Sequence, residues 1–278
     1  MRIYTKQELI EALESIRKMG WIKNARQGNV GGIGNTIEDL LEITENNLPL
    51  PNSGEWELKC QRKGTTSLTT LFHMEPSPRT MRFVPNVLLP KYGWPHQQAG
   101  SIHGEKEMSF RQTINALSPT DRGFTIVVDR NQRKIMVSFI SSSVDSRHGN
   151  WLKSVKQRIG LNELSPQPYW GFDDLFHKAG TKLHNCFYIQ AEVKNQDGIE
   201  YFRYTDILML QKLSLDKFIS STEQGSILVD FDARSGHNHG TKFRLRQDKL
   251  PELYEEVTEI KKGSAAAAAD PHRSPSIL

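Results

Sequence analysis

Apolar residues recur at helical spacing from the start of the chain, where Leu9, Ile10, Leu13, Ile16 and Met19 form one stripe. Thr5 with Glu8 supplies a capping box and Gly20 a stop, which predicts a helix over Thr5–Met19. Gly28–Gly34 reads as a glycine-rich loop. A short helix capped by Asn35 or Thr36 is predicted to follow, running Ile37–Leu41. Over Glu55–Arg62 the period drops to two, with Trp56, Leu58 and Cys60 alternating with Glu55, Glu57, Lys59 and Gln61. That pattern predicts a strand with one polar face. Ser67–His73 is a candidate second strand. Pro76–Gln112 is punctuated by Pro76, Pro78, Pro85, Pro90 and Pro95 and is predicted to be mostly loop.

The second half reads as hairpins. Phe124–Asp129 pairs with Lys134–Ile140, and Phe187–Lys194 pairs with Ile199–Tyr204 through an Asp197-Gly198 turn. A helix around Leu215–Ser221 precedes a third hairpin, Ile227–Arg234 with Thr241–Arg246. Lys249–Lys261 is predicted to be a closing amphipathic helix. Helices bracketing a run of mostly antiparallel strands give an α+β or mixed α/β class.

Composition narrows the function classes. The chain has 278 residues, 37% apolar and 24% charged, which describes a globular protein able to bury a core in one large or two modest domains. A net charge of +4 is too small to identify a partner by itself. No stretch approaches the roughly 18 apolar residues of a membrane span, and the N-terminus carries acids where a secretory signal is basic and apolar. Cys60 and Cys186 sit in separate strand-like runs, so a reducing compartment is expected. Gly263–Leu278, with five consecutive alanines, differs from the rest and reads as a vector-encoded extension.

Three clusters carry candidate chemistry. On a strand, Glu57 and Lys59 point to one face about 7 Å apart at the root. A carboxylate and an ammonium so placed can bind a divalent cation and hold an attacking water beside a phosphate. The same pattern also describes an exposed ion pair of little energetic worth. In the last hairpin Lys242, Arg244 and Arg246 share a face, with His237 and His239 near the tip. A two-stranded ribbon fits the major groove of DNA, where arginine pairs with guanine; a solvated edge strand guarded by basic residues is the alternative. The glycine run before Asn35 lacks a Walker lysine, although a helix N-terminus can hold a phosphate.

Together, Gly34-Asn-Thr-Ile-Glu-Asp-Leu-Leu41, Glu45-Asn46-Asn47, Pro51-Asn52…Glu57-Leu-Lys59, Trp170-Gly-Phe-Asp-Asp-Leu175, Lys182-Leu-His-Asn185 and Asp232-Ala-Arg-Ser-Gly-His-Asn-His-Gly240 resemble the MvaI/BcnI restriction endonuclease family. That family is related to the mismatch-repair nickase MutH, and the resemblance covers nearly the whole chain before the extension. It implies a PD-(D/E)XK core with a mixed sheet flanked by helices. It also implies one nuclease unit over residues 1–262, in two lobes around a DNA cleft, with catalytic elements mainly in 1–75 and recognition elements mainly in the C-terminal half.

By the same resemblance the activity is Mg²⁺-dependent cleavage of duplex DNA to 5′-phosphate ends, by a monomer in the bacterial cytoplasm. Glu57 would ligate the metal, Lys59 would orient or stabilise the nucleophilic water, and Glu38 would be an accessory acid. His237, His239 and Arg244 match the major-groove readers, with Arg234 and Asp232 beside them. A CC-x-GG site such as CCWGG or CCSGG is implied, with a cognate methyltransferase in the same system but no physical complex. One departure stands out: the family's first metal ligand is an aspartate, and Asn52 occupies that position. A non-catalytic DNA-binding protein and a MutH-like strand-selective nickase are therefore the rival readings.

Overall fold

The structure is a computed structural model that describes residues 4–29, 31–43, 51 and 54–261. Asn52, the Glu45-Asn46-Asn47 run and the Gly263–Leu278 extension lie outside the described residues. In chain order the first elements are α1 (Lys6–Lys18), β1 (Ile22–Lys23), α2 (Gly32–Leu40), β2 (Trp56–Arg62) and β3 (Thr69–His73). Then come α3 (Leu89–Tyr92), β4 (Trp94–Pro95), β5 (Met108–Ile114), β6 (Phe124–Asp129), β7 (Lys134–Phe139) and α4 (Gly149–Ile159). The chain continues through β8 (Tyr169–Gly171), α5 (Phe172–Leu183), β9 (Asn185–Gln196), β10 (Ile199–Leu213) and α6 (Leu215–Glu223). It ends with β11 (Ile227–Arg234), β12 (His237–Asn238), β13 (Lys242–Leu245) and β14 (Tyr254–Lys261).

These elements form a mixed α/β fold whose contacts divide into two units. The first holds residues 1–65, 185–211 and 256–278, and the second holds 66–184 and 212–255. In the first, strands run in the order β1-β10-β9-β2, with β14 also on β10. All of these pairs with a recorded register are antiparallel except β2 with β9, which is parallel. The α1 capping box forms as the sequence indicates, with Thr5 and Glu8 bonding reciprocally. Leu9, Leu13 and Ile16 of α1 and Ile33 and Ile37 of α2 join Trp56, Leu58, Phe187, Ile189 and Phe202 in one buried cluster. Each such side chain contributes about 1.5–3 kcal/mol by burial. Tyr204 Oη donates to the carbonyl of Ile33 at 2.7 Å, tying α2 to the sheet.

The helix α2 begins at Gly32, three residues before the expected Asn35 cap, and Gly31 caps it without a side-chain bond. Close packing explains the glycine. A Cβ at Gly32 would lie 2.6 Å from the amide of Asn24, a buried side chain that bonds Glu200 and the backbone of Arg26. Thr36 caps nothing here; its hydroxyl accepts from the backbone N–H of Ala25.

The second unit contains a sheet ordered β3-β13-β11-β5-β4, with β12 on β11, and a three-stranded sheet β6-β7-β8. Pro76–Gln112 is more structured than expected. Pro85 and Pro90 sit in the first turns of a π-helical turn (Val84–Leu88) and of α3, where the missing N–H costs nothing. Val84, Val87, Leu88 and Tyr92 are buried there, and that burial overrides the proline signal. The helices α4 and α5 carry stripes that the sequence reading passed over, Trp151 with Val155 and Phe172 with Leu175, Ala179 and Leu183.

The expected closing helix is corrected. Leu250–Leu253 forms a 3-10 turn containing Pro251, and Tyr254–Lys261 is strand β14 on the edge of β10. Val257, a member of the apparent helical stripe, is 48% exposed. The available sheet edge outweighs a periodicity with no groove to fill. No helix among the described residues is long and apolar enough to cross a membrane.

Candidate functional site

In the first unit, alternation along β2 sends Trp56 and Leu58 into the core beneath α1 and α2. Glu57, Lys59 and Gln61 therefore share the other face. Parallel pairing sets Glu57 opposite Cys186, Lys59 opposite Tyr188 and Gln61 opposite Gln190, so both strands contribute polar groups. Tyr188 Oη donates to Gln61, and Gln190 Nε2 donates to Tyr188 Oη at 3.1 Å. Tyr188 and Gln190 were missed, because the parallel register of β9 on β2 is set by tertiary pairing.

Lys59 Nζ lies 2.8 Å from Glu57 Oε1, with the side chains 16% and 2% exposed. That burial removes the reading of an exposed ion pair. Burial alone would lower the Lys59 pKa. The Glu57 carboxylate, through charge and hydrogen bond, more than reverses this, and Cys186 and Glu38 add smaller contributions, so the pKa is raised. Lys59 therefore stays an ammonium at neutral pH. Cys60 is driven the other way in reactivity: burial first, then Glu38, raises its thiol pKa and leaves it inert. Glu38 thus acts electrostatically on this strand from α2.

The donor chemistry here suits a hard divalent cation. Glu57 offers anionic oxygen, Mg²⁺ is usually held by one or two carboxylates plus phosphate oxygens, and waters complete its shell. No group of three or more His, Cys, Asp or Glu able to hold a metal occurs among the described residues. A cation at this strand would take its protein carboxylate from Glu57 and further oxygens from substrate and water.

In the second unit the outward face of the larger sheet gathers charge. Along β11, Val229, Phe231 and Ala233 are buried, while Asp230, Asp232 and Arg234 point the other way. Register places Lys242 of β13 beside Asp230, and Thr113 and Arg111 of β5 beside Asp230 and Asp232. Arg244 Nη1 meets Asp230 Oδ2 at 3.4 Å, and its Nη2 donates to the Leu68 carbonyl at 3.0 Å. Arg111, Asp230, Asp232, Lys242 and Arg244 line a concavity of about 330 Å³.

His237 and His239 are exposed, their rings 4.3 Å apart. Arg234 is engaged by Glu107 at 2.9 Å. Arg246 stands apart from this group, its Nε donating to the Gly225 carbonyl at 2.8 Å. Arg111 was missed because most of β5 lies in the stretch read as loop. His73, opposite Lys242 on β3, was missed too. Burial, then Lys242 and Lys182, lowers its pKa against the pull of Glu75, so its ring is neutral at pH 7.

Glu75 anchors the histidine loop. It accepts from the Thr241 backbone at 2.9 Å and from the Thr241 hydroxyl at 3.2 Å. Thr241 is fully buried, so Glu75→Ala strands its N–H. We expect a loss of about 1–3 kcal/mol in urea unfolding. Unchanged stability in that variant would show that the loop holds its shape without Glu75.

Comparison with known proteins adds independent findings. The family model described as the MvaI/BcnI restriction endonuclease family matches residues 10–254. A solved restriction endonuclease MvaI–cognate DNA substrate complex is 27% identical, with a TM-score of 0.72, covering 93% of this chain and 100% of that one. The structure of restriction endonuclease MvaI in the absence of DNA is 27% identical, with a TM-score of 0.52, covering 94% and 100% respectively. No curated protein matches the chain.

Proposed function

The chain belongs to the MvaI/BcnI restriction endonuclease family, and from that membership we propose a type II enzyme that cuts duplex DNA at a CC-x-GG site. CCWGG and CCSGG are the suggested targets, with Mg²⁺ as cofactor, 5′-phosphate ends as product and a monomer as the acting form. The observation that carries the reading is the buried Glu57–Lys59 pair on β2. Burying two charges is costly, and a hydrophobic pair of the same volume would stabilise the sheet as well or better. A buried pair that brings the fold no stability supports a chemical role for it.

In this reading Glu57 and the side chain at position 52 would hold the metal, which when bound polarises the phosphate and acidifies water. Lys59, whose pKa Glu57 raises through charge and hydrogen bond, acts here as a cation and hydrogen-bond donor. It hydrogen-bonds the attacking water or a phosphate oxygen and neutralises charge that develops there. Glu38 adds negative potential from α2. Asp232, Arg234, His237, His239, Lys242 and Arg244 would face the DNA, while the Arg246 anchor to Gly225 favours a supporting role for that residue.

Binding tests the DNA half of the reading. Affinity should fall steeply with salt, because each neutralised phosphate releases counterions; a salt-independent affinity contradicts nucleic-acid binding. Arg244→Ala should cost about 1–3 kcal/mol for the preferred site and much less for random duplex. Equal losses on both would move Arg244 to a backbone contact. A second reading, a site-specific binder without cleavage, is favoured by one residue: Asn52, which brings no charge where the family has an acid.

A further inference from the structure

Resting on that reading of the sheet face, we infer that Arg111 and Asp232 act as one unit that reads a single C·G base pair, Arg111 taking the guanine and Asp232 the cytosine. The two residues stand directly opposite each other on β5 and β11. Arg111 Nε lies 2.9 Å from Asp232 Oδ1, and the arginine side chain is 62% exposed. Both line the concavity on this face. Asp232 is the only ion-pair partner of Arg111 among the described residues.

The chemistry matches the edge of one base pair. In the major groove guanine presents two acceptors, N7 and O6, and its partner cytosine presents the N4 amino donor beside them. A reader of the whole pair needs a forked donor next to an acceptor. A guanidinium beside a carboxylate on neighbouring strands is that combination. The other Asp232 oxygen lies 3.6 Å from Lys242 Nζ, so the carboxylate keeps a cationic partner when Arg111 turns to guanine. An exposed ion pair contributes little, and exchanging it for base contacts is cheap.

A second pair repeats the motif. Arg244 and Asp230 meet at 3.4 Å, and Asp230 lies two residues from Asp232 on the same strand face. That separation is about 7 Å, or roughly two base-pair steps of about 3.4 Å. Two C·G pairs flanking one central pair have this spacing in a CC-x-GG site.

Fluorescence anisotropy without divalent metal tests the inference, using duplexes carrying CCAGG or CCCGG and a scrambled control. Arg111→Ala should weaken the preferred duplex by about 5- to 150-fold and leave the scrambled one nearly unchanged. Arg111→Lys keeps the charge but lacks the fork, so it should lose most of the same discrimination. Replacing one guanine by 7-deazaguanine should weaken the unmodified protein at that position and leave Arg111→Ala indifferent. Equal losses on preferred and scrambled duplexes, no loss, or full rescue by lysine would each overturn the inference. If the unmodified protein itself prefers neither site, the proposed function falls and this inference with it. If it discriminates and Arg111→Ala discriminates equally well, the inference alone falls.

Discussion

Glu57→Ala destabilises the protein by about 3 kcal/mol or more, while the joint replacement of Glu57 by leucine and Lys59 by methionine costs little or stabilises. That is the expected result of a urea-unfolding cycle on the two residues. Removing Glu57 alone leaves the Lys59 ammonium buried on β2 without its carboxylate, 2.8 Å away in the intact protein. Uncompensated buried charges cost about 3–5 kcal/mol, whereas apolar replacements of a whole pair are often neutral or favourable. Lys59→Ala should be costly for the same reason, with the Glu57 carboxylate left behind. The cycle therefore separates stability from function, because the stable double variant should have lost all cleavage. A loss under about 1 kcal/mol in Glu57→Ala would place the pair among solvent-screened ion pairs.

The second large effect concerns catalysis. Asn52→Asp should raise Mg²⁺-dependent cleavage by at least about 10²-fold, the scale seen when one charge-stabilising group is restored to an active site. Asparagine offers a carbonyl oxygen of similar shape but no charge, and Mg²⁺ sheds water reluctantly for neutral donors. DNA affinity without metal should change little, since the sheet face that would read bases belongs to other residues. Adding Glu57→Ala or Lys59→Ala to Asn52→Asp should abolish the gain, with circular dichroism showing that each variant is folded. Equal single-turnover rates for the asparagine and aspartate forms would place the metal elsewhere, with Glu38 the first residue to examine.

What the sequence made legible was local. The α1 helix and its Thr5–Glu8 box, the alternating strand β2, the hairpin of β6 with β7 and the Asp197-Gly198 turn all follow from spacing and turn chemistry. The errors came where tertiary context decided. Lys249–Lys261 has a helical stripe but meets an open sheet edge, and Pro76–Gln112 has loop composition but a buried apolar face. The Glu-Leu-Lys block could be found by pattern, yet its burial could not, and burial is what distinguishes it from a surface pair. Arg111 and His73 were hidden because sequence does not say which strands lie beside β11 and β13. Fold and family were thus readable from motifs, while cross-strand partners needed the structure.

Digestion of phage DNA tests the central claim most directly. The Asn52→Asp form, incubated with Mg²⁺, should produce a discrete and reproducible fragment set whose ends carry 5′-phosphates and map to one CC-x-GG sequence. The Lys59→Ala derivative should leave the DNA intact under the same conditions. A smear of random lengths, or intact DNA with the Asn52→Asp form at enzyme excess, would contradict the account.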